Sequence, residues 1–107
     1  MMSENKVVAY VERDMEEFIP FFLEESREEV RQLVQSLKKG DYKALKDFGH
    51  KIKGSSVTCS EGFQVMSDIG LAIENAAKEK KSLNEIKELV KSYIHYVNNV
   101  EIVYVDE

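Results

Sequence analysis

The chain of 107 residues has no tryptophan, one proline (Pro20), one cysteine (Cys59) and five glycines. A single cysteine excludes an intramolecular disulfide and fits a reducing compartment. Little proline and glycine, beside abundant Glu, Lys, Leu and Val, leaves few breaks and favours helices. No apolar run approaches bilayer-spanning length, and the first residues lack the basic-then-apolar order of a secretion signal. Positive charge is not in excess: Lys+Arg number 15 against 20 Asp+Glu, a net charge of −5. That balance argues against a nucleic-acid partner. Two isolated histidines, with no Cys or carboxylate at ligand spacing, do not make a metal site. The expectation is one cytoplasmic domain over residues 1–107, with a single modest core and no membrane partner.

What is present is helical periodicity. Asp14-Met15-Glu16-Glu17 reads as a capping box that opens a first helix, with Pro20 tolerated in its first turn. That helix runs to Lys38-Lys39 and stops at Gly40. Asp41 caps a second helix, and a turn around Ser60 leads to a third through Phe63, Met66, Ile69 and Ile73. The stretch Lys78 to Lys81 ends the third helix. Ser82-Leu83-Asn84-Glu85, another capping box, opens a fourth through Ile86, Leu89, Val90, Tyr93, Ile94 and Val97. Short turns between long helices imply an all-α, antiparallel up-down-up-down four-helix bundle, with a helical core of about 14–100. Phe18, Phe22, Val30, Leu33, Val34, Leu37, Leu45, Phe48, Ile52, Phe63, Met66, Ile69, Ile73, Leu89, Tyr93 and Val97 form the expected core. The stretches Lys6 to Val11 and Glu101 to Val105 are β-branched and aromatic, so the two ends are expected to pair as a short antiparallel ribbon.

The second helix carries the one stretch that packing does not explain, Phe48-Gly49-His50-Lys51-Ile52-Lys53-Gly54-Ser55-Ser56. At roughly 100° per residue, Lys53 and Gly54 flank His50 one turn later, and Lys46 and Asp47 flank it one turn earlier. Leu45, Phe48, Ile52, Ser55 and Cys59 collect behind it. A glycine inside a helix costs about 1 kcal/mol relative to alanine; at Gly54 it removes the side chain that would shield the ring. Imidazole is a neutral-pH nucleophile, and Lys53, Lys46 and Lys51 bring positive charge suited to phosphoryl oxygens. Ser55 and Ser56 read as small packing residues, Gly70 as a close helix contact and His95 as an ordinary surface residue. The Glu16-Glu17, Glu24-Glu25 and Glu28-Glu29 pairs read as a solvated face, and Cys59 as a small core residue.

The run His50-x-Ile52-Lys53-Gly54-Ser55-Ser56 resembles the signature of histidine phosphotransfer (HPt) domains. Phe18-Ile19-Pro20-Phe21-Phe22-Leu23-Glu24-Glu25 is similar to their first helix. Leu37-Lys38-Lys39-Gly40-Asp41 is similar to their first turn, and Asp68-Ile69-Gly70 with Ile73-Glu74 to their third helix. One departure is a two-residue insertion around Cys59-Ser60-Glu61, ahead of Gly62-Phe63. The resemblance implies a monomeric phosphorelay intermediate, not an independent enzyme. His50 would be the phosphoacceptor, with Lys53, Gly54, Lys46, Lys51 and Asp47 meeting phosphate or partner. The implied partners are a response regulator receiver domain and a sensor or hybrid histidine kinase. The chain itself would bind no cofactor, and Mg²⁺ would sit on the receiver. Two other readings stay open: a helical interaction module that is never phosphorylated, and a kinase-coupled substrate domain.

Overall fold

The structure, a computed structural model, describes residues 7–106. Four helices form in the expected order: α1 (Ile19–Lys39), α2 (Tyr42–Cys59), α3 (Gln64–Lys78) and α4 (Leu83–Asn99). α1 does not begin at Asp14. Asp14 lies in a separate 3-10 turn, Arg13–Met15, and α1 is capped by Phe18 without any side-chain hydrogen bond. Pro20 sits in the first turn, where its missing N–H costs nothing. The expected Asp14–Glu17 capping box does not form: Asp14 lies inside a turn that Glu12 opens without a side-chain hydrogen bond, and α1 begins only at Ile19.

The other boundaries follow local chemistry. Gly40 ends α1 at φ +66°; its N–H donates to Leu37 O (3.1 Å) and that of Asp41 to Ser36 O (2.9 Å). The Asp41 carboxylate accepts from the Ala44 N–H at 3.0 Å and starts α2. Ser60 is extended, and its Oγ accepts from the Gly62 N–H at 3.1 Å, opening the 3-10 turn Glu61–Phe63 ahead of α3. Ser82 and Glu85 form the reciprocal capping box of α4.

α1 packs on α2 and α4, and α3 closes the ring between them. Leu33, Leu45, Ile52, Phe63, Met66, Ile73, Tyr93 and Val97 are buried, joined by Ile19, Ile86 and Val90. Phe22, Val30, Val34, Leu37, Phe48, Ile69 and Leu89 are half-buried. Phe18 is not core: it is 58% exposed, because α1 starts after it and Ile19 takes the inward place. On α2 the inward row is Leu45, Gly49, Ile52 and Ser56. Ser56 is therefore buried, its Oγ donating to Ile52 O at 2.6 Å, whereas Ser55 faces out, against expectation.

The α2–α3 seam is closed by glycine from both sides. A Cβ at Gly49 would lie 2.5 Å from Glu74 N and 2.7 Å from Gly70 O; one at Gly70 would lie 2.7 Å from Lys53 N. No side chain fits there, so the two backbones touch. Ser67 Oγ adds a hydrogen bond to Lys53 O at 2.9 Å.

The termini pair, but in the opposite sense to the expectation. β1 (Val7–Glu12) and β2 (Val100–Val105) are parallel, in register from Val7↔Val100 to Glu12↔Val105. The expectation placed no reversal between strand and helix. α4 does run straight into β2, but β1 reaches α1 through the turns Glu16 N→Arg13 O and Phe18 N→Met15 O. With α1 and α4 antiparallel, that one extra reversal makes the strands parallel. Among the described residues, no helix is long and apolar enough to cross a membrane.

Candidate functional site

His50 stands on the outward face of α2 with its side chain 68% exposed. Its Nδ1 lies 3.0 Å from Glu74 Oε2 on α3. The glycine seam makes this contact possible, because it brings the Glu74 backbone against Gly49, the residue before His50. Glu74 is only 12% exposed. A carboxylate accepts hydrogen bonds and donates none, so in the neutral ring the proton belongs on Nδ1. The lone pair is then on Nε2, the nitrogen that Glu74 does not hold. A ring fixed in one orientation by a buried carboxylate, with the other nitrogen bare, is a prepared nucleophile.

The second carboxylate oxygen, Glu74 Oε1, is buried and accepts no hydrogen bond. The nearest cation is Lys53 Nζ at 3.8 Å, an ion-pair distance too long for a hydrogen bond. Lys53 is thus tied only loosely and has reach to spare. Where a Gly54 Cβ would be, nothing lies within 4 Å. His50, Lys53 and Gly54 therefore share one open surface.

The remaining expected site residues divide. Lys51 turns towards α1, where its Nζ meets Glu29 Oε2 at 2.8 Å; that hydrogen bond and charge raise the Lys51 pKa. Glu29 also takes the Tyr93 hydroxyl at 3.5 Å, so it belongs to an inter-helix network and not to a solvated face. Asp47 pairs with Lys43 on its own helix at 3.1 Å. Lys46 lines a hollow of about 300 Å³ with Tyr42, Lys43, Lys78 and Lys80, one turn before His50. The structure thus places Lys46 beside the histidine surface and directs Lys51 and Asp47 into other contacts.

Glu74 is the site residue that sequence reasoning missed as such. Its signal was the spacing Gly70-x-x-x-Glu74: a close-contact glycine puts the residue one turn later at the neighbouring helix. His95, by contrast, is exposed on α4 and contacts Asn99 of its own helix at 3.2 Å. Cys59 is half-buried, and its thiol pKa is raised by burial. Exposed apolar side chains flank the His50 surface: Val57 two turns along α2, and Leu71 one turn before Glu74 on α3. Among the described residues, no group of three or more His, Cys, Asp or Glu is placed to hold a metal ion.

Comparison with known proteins gives one match. The family model described as the Hpt domain fits residues 17–100. No curated protein and no solved structure matches the chain.

Proposed function

The chain belongs to the Hpt domain family, a family of phosphotransfer modules in two-component signalling, and from that premise we propose that His50 is its phosphoryl carrier. The Nε2 lone pair attacks the phosphorus of an aspartyl phosphate on a receiver domain. The N–P bond forms, the P–O bond to the aspartate breaks, and the aspartate leaves as a carboxylate. Positive charge develops on the imidazole, and Glu74 stabilises it through the proton that stays on Nδ1. Reversal passes the group to a second receiver. Lys53 meets the phosphoryl oxygens, and Lys46 adds attraction towards an acidic active site. The receiver brings Mg²⁺ and most of the transition-state stabilisation, so this chain needs no catalytic apparatus of its own. A sensor or hybrid kinase is the upstream source of the phosphoryl group. Val57 and Leu71 give the receiver an apolar footing around the histidine.

The observation that carries this reading is the pairing of an exposed His50 with a buried carboxylate at 3.0 Å. A histidine that served only as surface would have no need of that partner. The test is phosphotransfer from a panel of phosphorylated receiver domains to the wild type and His50→Gln. The expected result is an acid-labile, base-stable label on the wild type and none on the variant. Binding without label on the wild type would instead favour a docking module.

A further inference from the structure

We infer that the outer edge of β2 is a homodimer interface, at which two copies pair their Val100–Val105 strands antiparallel about a twofold axis. The two-stranded sheet has two outer edges, and they differ. That of β1 is covered: Gly62 of the 3-10 turn lies so close that a Cβ there would meet the Tyr10 carbonyl oxygen. β2 has no such cover. Among the described residues, its backbone pairs with β1, and the Val100 N–H also donates to Tyr96 O at the end of α4; from Glu101 onward no backbone partner other than β1 is found.

An open strand edge is a template for another strand, and proteins usually blunt it with lysine, proline, a bulge or short length. Val-Glu-Ile-Val-Tyr-Val has none of these. It holds a single charge, Glu101, and runs through six residues of unbroken register. Val103 and Val105 remain 39% and 37% exposed. A pair of strands alone is marginal, and three or more are the usual minimum. A second β2 would turn the ribbon into a four-stranded sheet with the order β1-β2-β2-β1.

The strand is suited to pairing with itself. Side chains alternate between the two faces, so residues opposite each other across a twofold axis must face the same way. The axis then passes at Ile102 or at Val103. In the first case Glu101 lies opposite Val103 of the second copy, and in the second opposite Val105. Glu101 never faces Glu101, so an acidic protein brings no like charges together at this seam. The pairing is isologous and closes at two.

The test is sedimentation of the full chain from micromolar concentration to about 1 mM, for the wild type and Val103→Glu, with amide hydrogen exchange at both extremes. The wild type should approach twice 12.3 kDa, and its β2 amides should exchange more slowly as concentration rises. Val103→Glu, which faces Glu101 in one register and itself in the other, should weaken the association at least tenfold while leaving the helical circular dichroism unchanged. If that variant loses helical signal, the concentration dependence of amide exchange in the wild-type β2 strand decides alone. A monomer at every concentration would overturn the proposal. So would a dimer indifferent to the added glutamate, or an assembly that grows beyond two.

Discussion

The α2–α3 seam and the α1–α4 seam of this bundle are built from different residues. Between α2 and α3, Gly49 and Gly70 let backbone touch backbone. Between α1 and α4, Val34, Leu37, Val90 and Ile94 hold the helices apart and leave an apolar groove of about 430 Å³. The two histidines sit differently: His50 borders the tight seam, and His95 lies on the α3 side of α4, beside a hollow it lines with Val65, Ile69 and Tyr96. At the tight seam His50 is reached by a carboxylate from the neighbouring helix, whereas among the described residues the His95 ring is hydrogen-bonded to Asn99 of its own helix. Where the α2 and α3 backbones nearly meet at Gly49, a glutamate of one helix reaches the histidine of the other. Close packing here positions the His50 ring against Glu74 as well as holding the fold.

The comparison breaks most completely at the histidines. His50→Gln should abolish transfer, and His95→Gln should leave it intact, read as acid-labile label in parallel reactions. Next is the seam. Gly70→Ala forces a methyl group against the Lys53 backbone and Ile52, and should cost about 1–3 kcal/mol, measured by urea unfolding. Glu74→Gln keeps the size but removes the charge and frees the choice of ring proton. It should slow transfer roughly tenfold, the loss of about 1.4 kcal/mol from a hydrogen bond to a charged group, with the fold unchanged by circular dichroism.

On the other side of the bundle the expected signature is alkaline. Burial pushes the Tyr96 hydroxyl up to about 12 and raises that of Tyr93 further. A folded pKa above the unfolded value of about 10 stabilises the fold fully below pH 10 and loses that contribution as pH rises towards 12. Thermal unfolding should therefore drop across that window, and Tyr96→Phe should flatten the drop. The smallest effect belongs to Gly54, where a Cβ meets nothing. Gly54→Ala should stabilise the helix by about 0.5–1 kcal/mol. If it also slows transfer while binding the receiver less well, the open flank serves docking.

Much of this fold was legible because its signals are local. Gly40, Asp41 and the Ser82–Glu85 box act on backbone groups within four residues, so spacing alone places them. The start of α1 was not: Asp14–Glu17 has the residue pattern of a capping box, yet Asp14 lies inside a separate turn that Glu12 opens without a side-chain hydrogen bond. Strand direction was lost for a related reason. It depends on a reversal at Arg13–Phe18 that no residue pattern announces. At the site, the one-turn neighbours Lys53 and Gly54 follow from helix geometry. The fates of Lys51 and Asp47 and the role of Glu74 depend on which side chains neighbouring elements bring.

The central claim is that Glu74 holds the Nδ1 proton and leaves Nε2 of His50 to carry phosphate. The most direct measurement is ³¹P and ¹⁵N NMR of the phosphorylated chain with labelled histidine. The account predicts one phosphorus coupled to Nε2 of His50, with Nδ1 still protonated. Phosphorus on Nδ1, on His95 or on a non-histidine residue would contradict it.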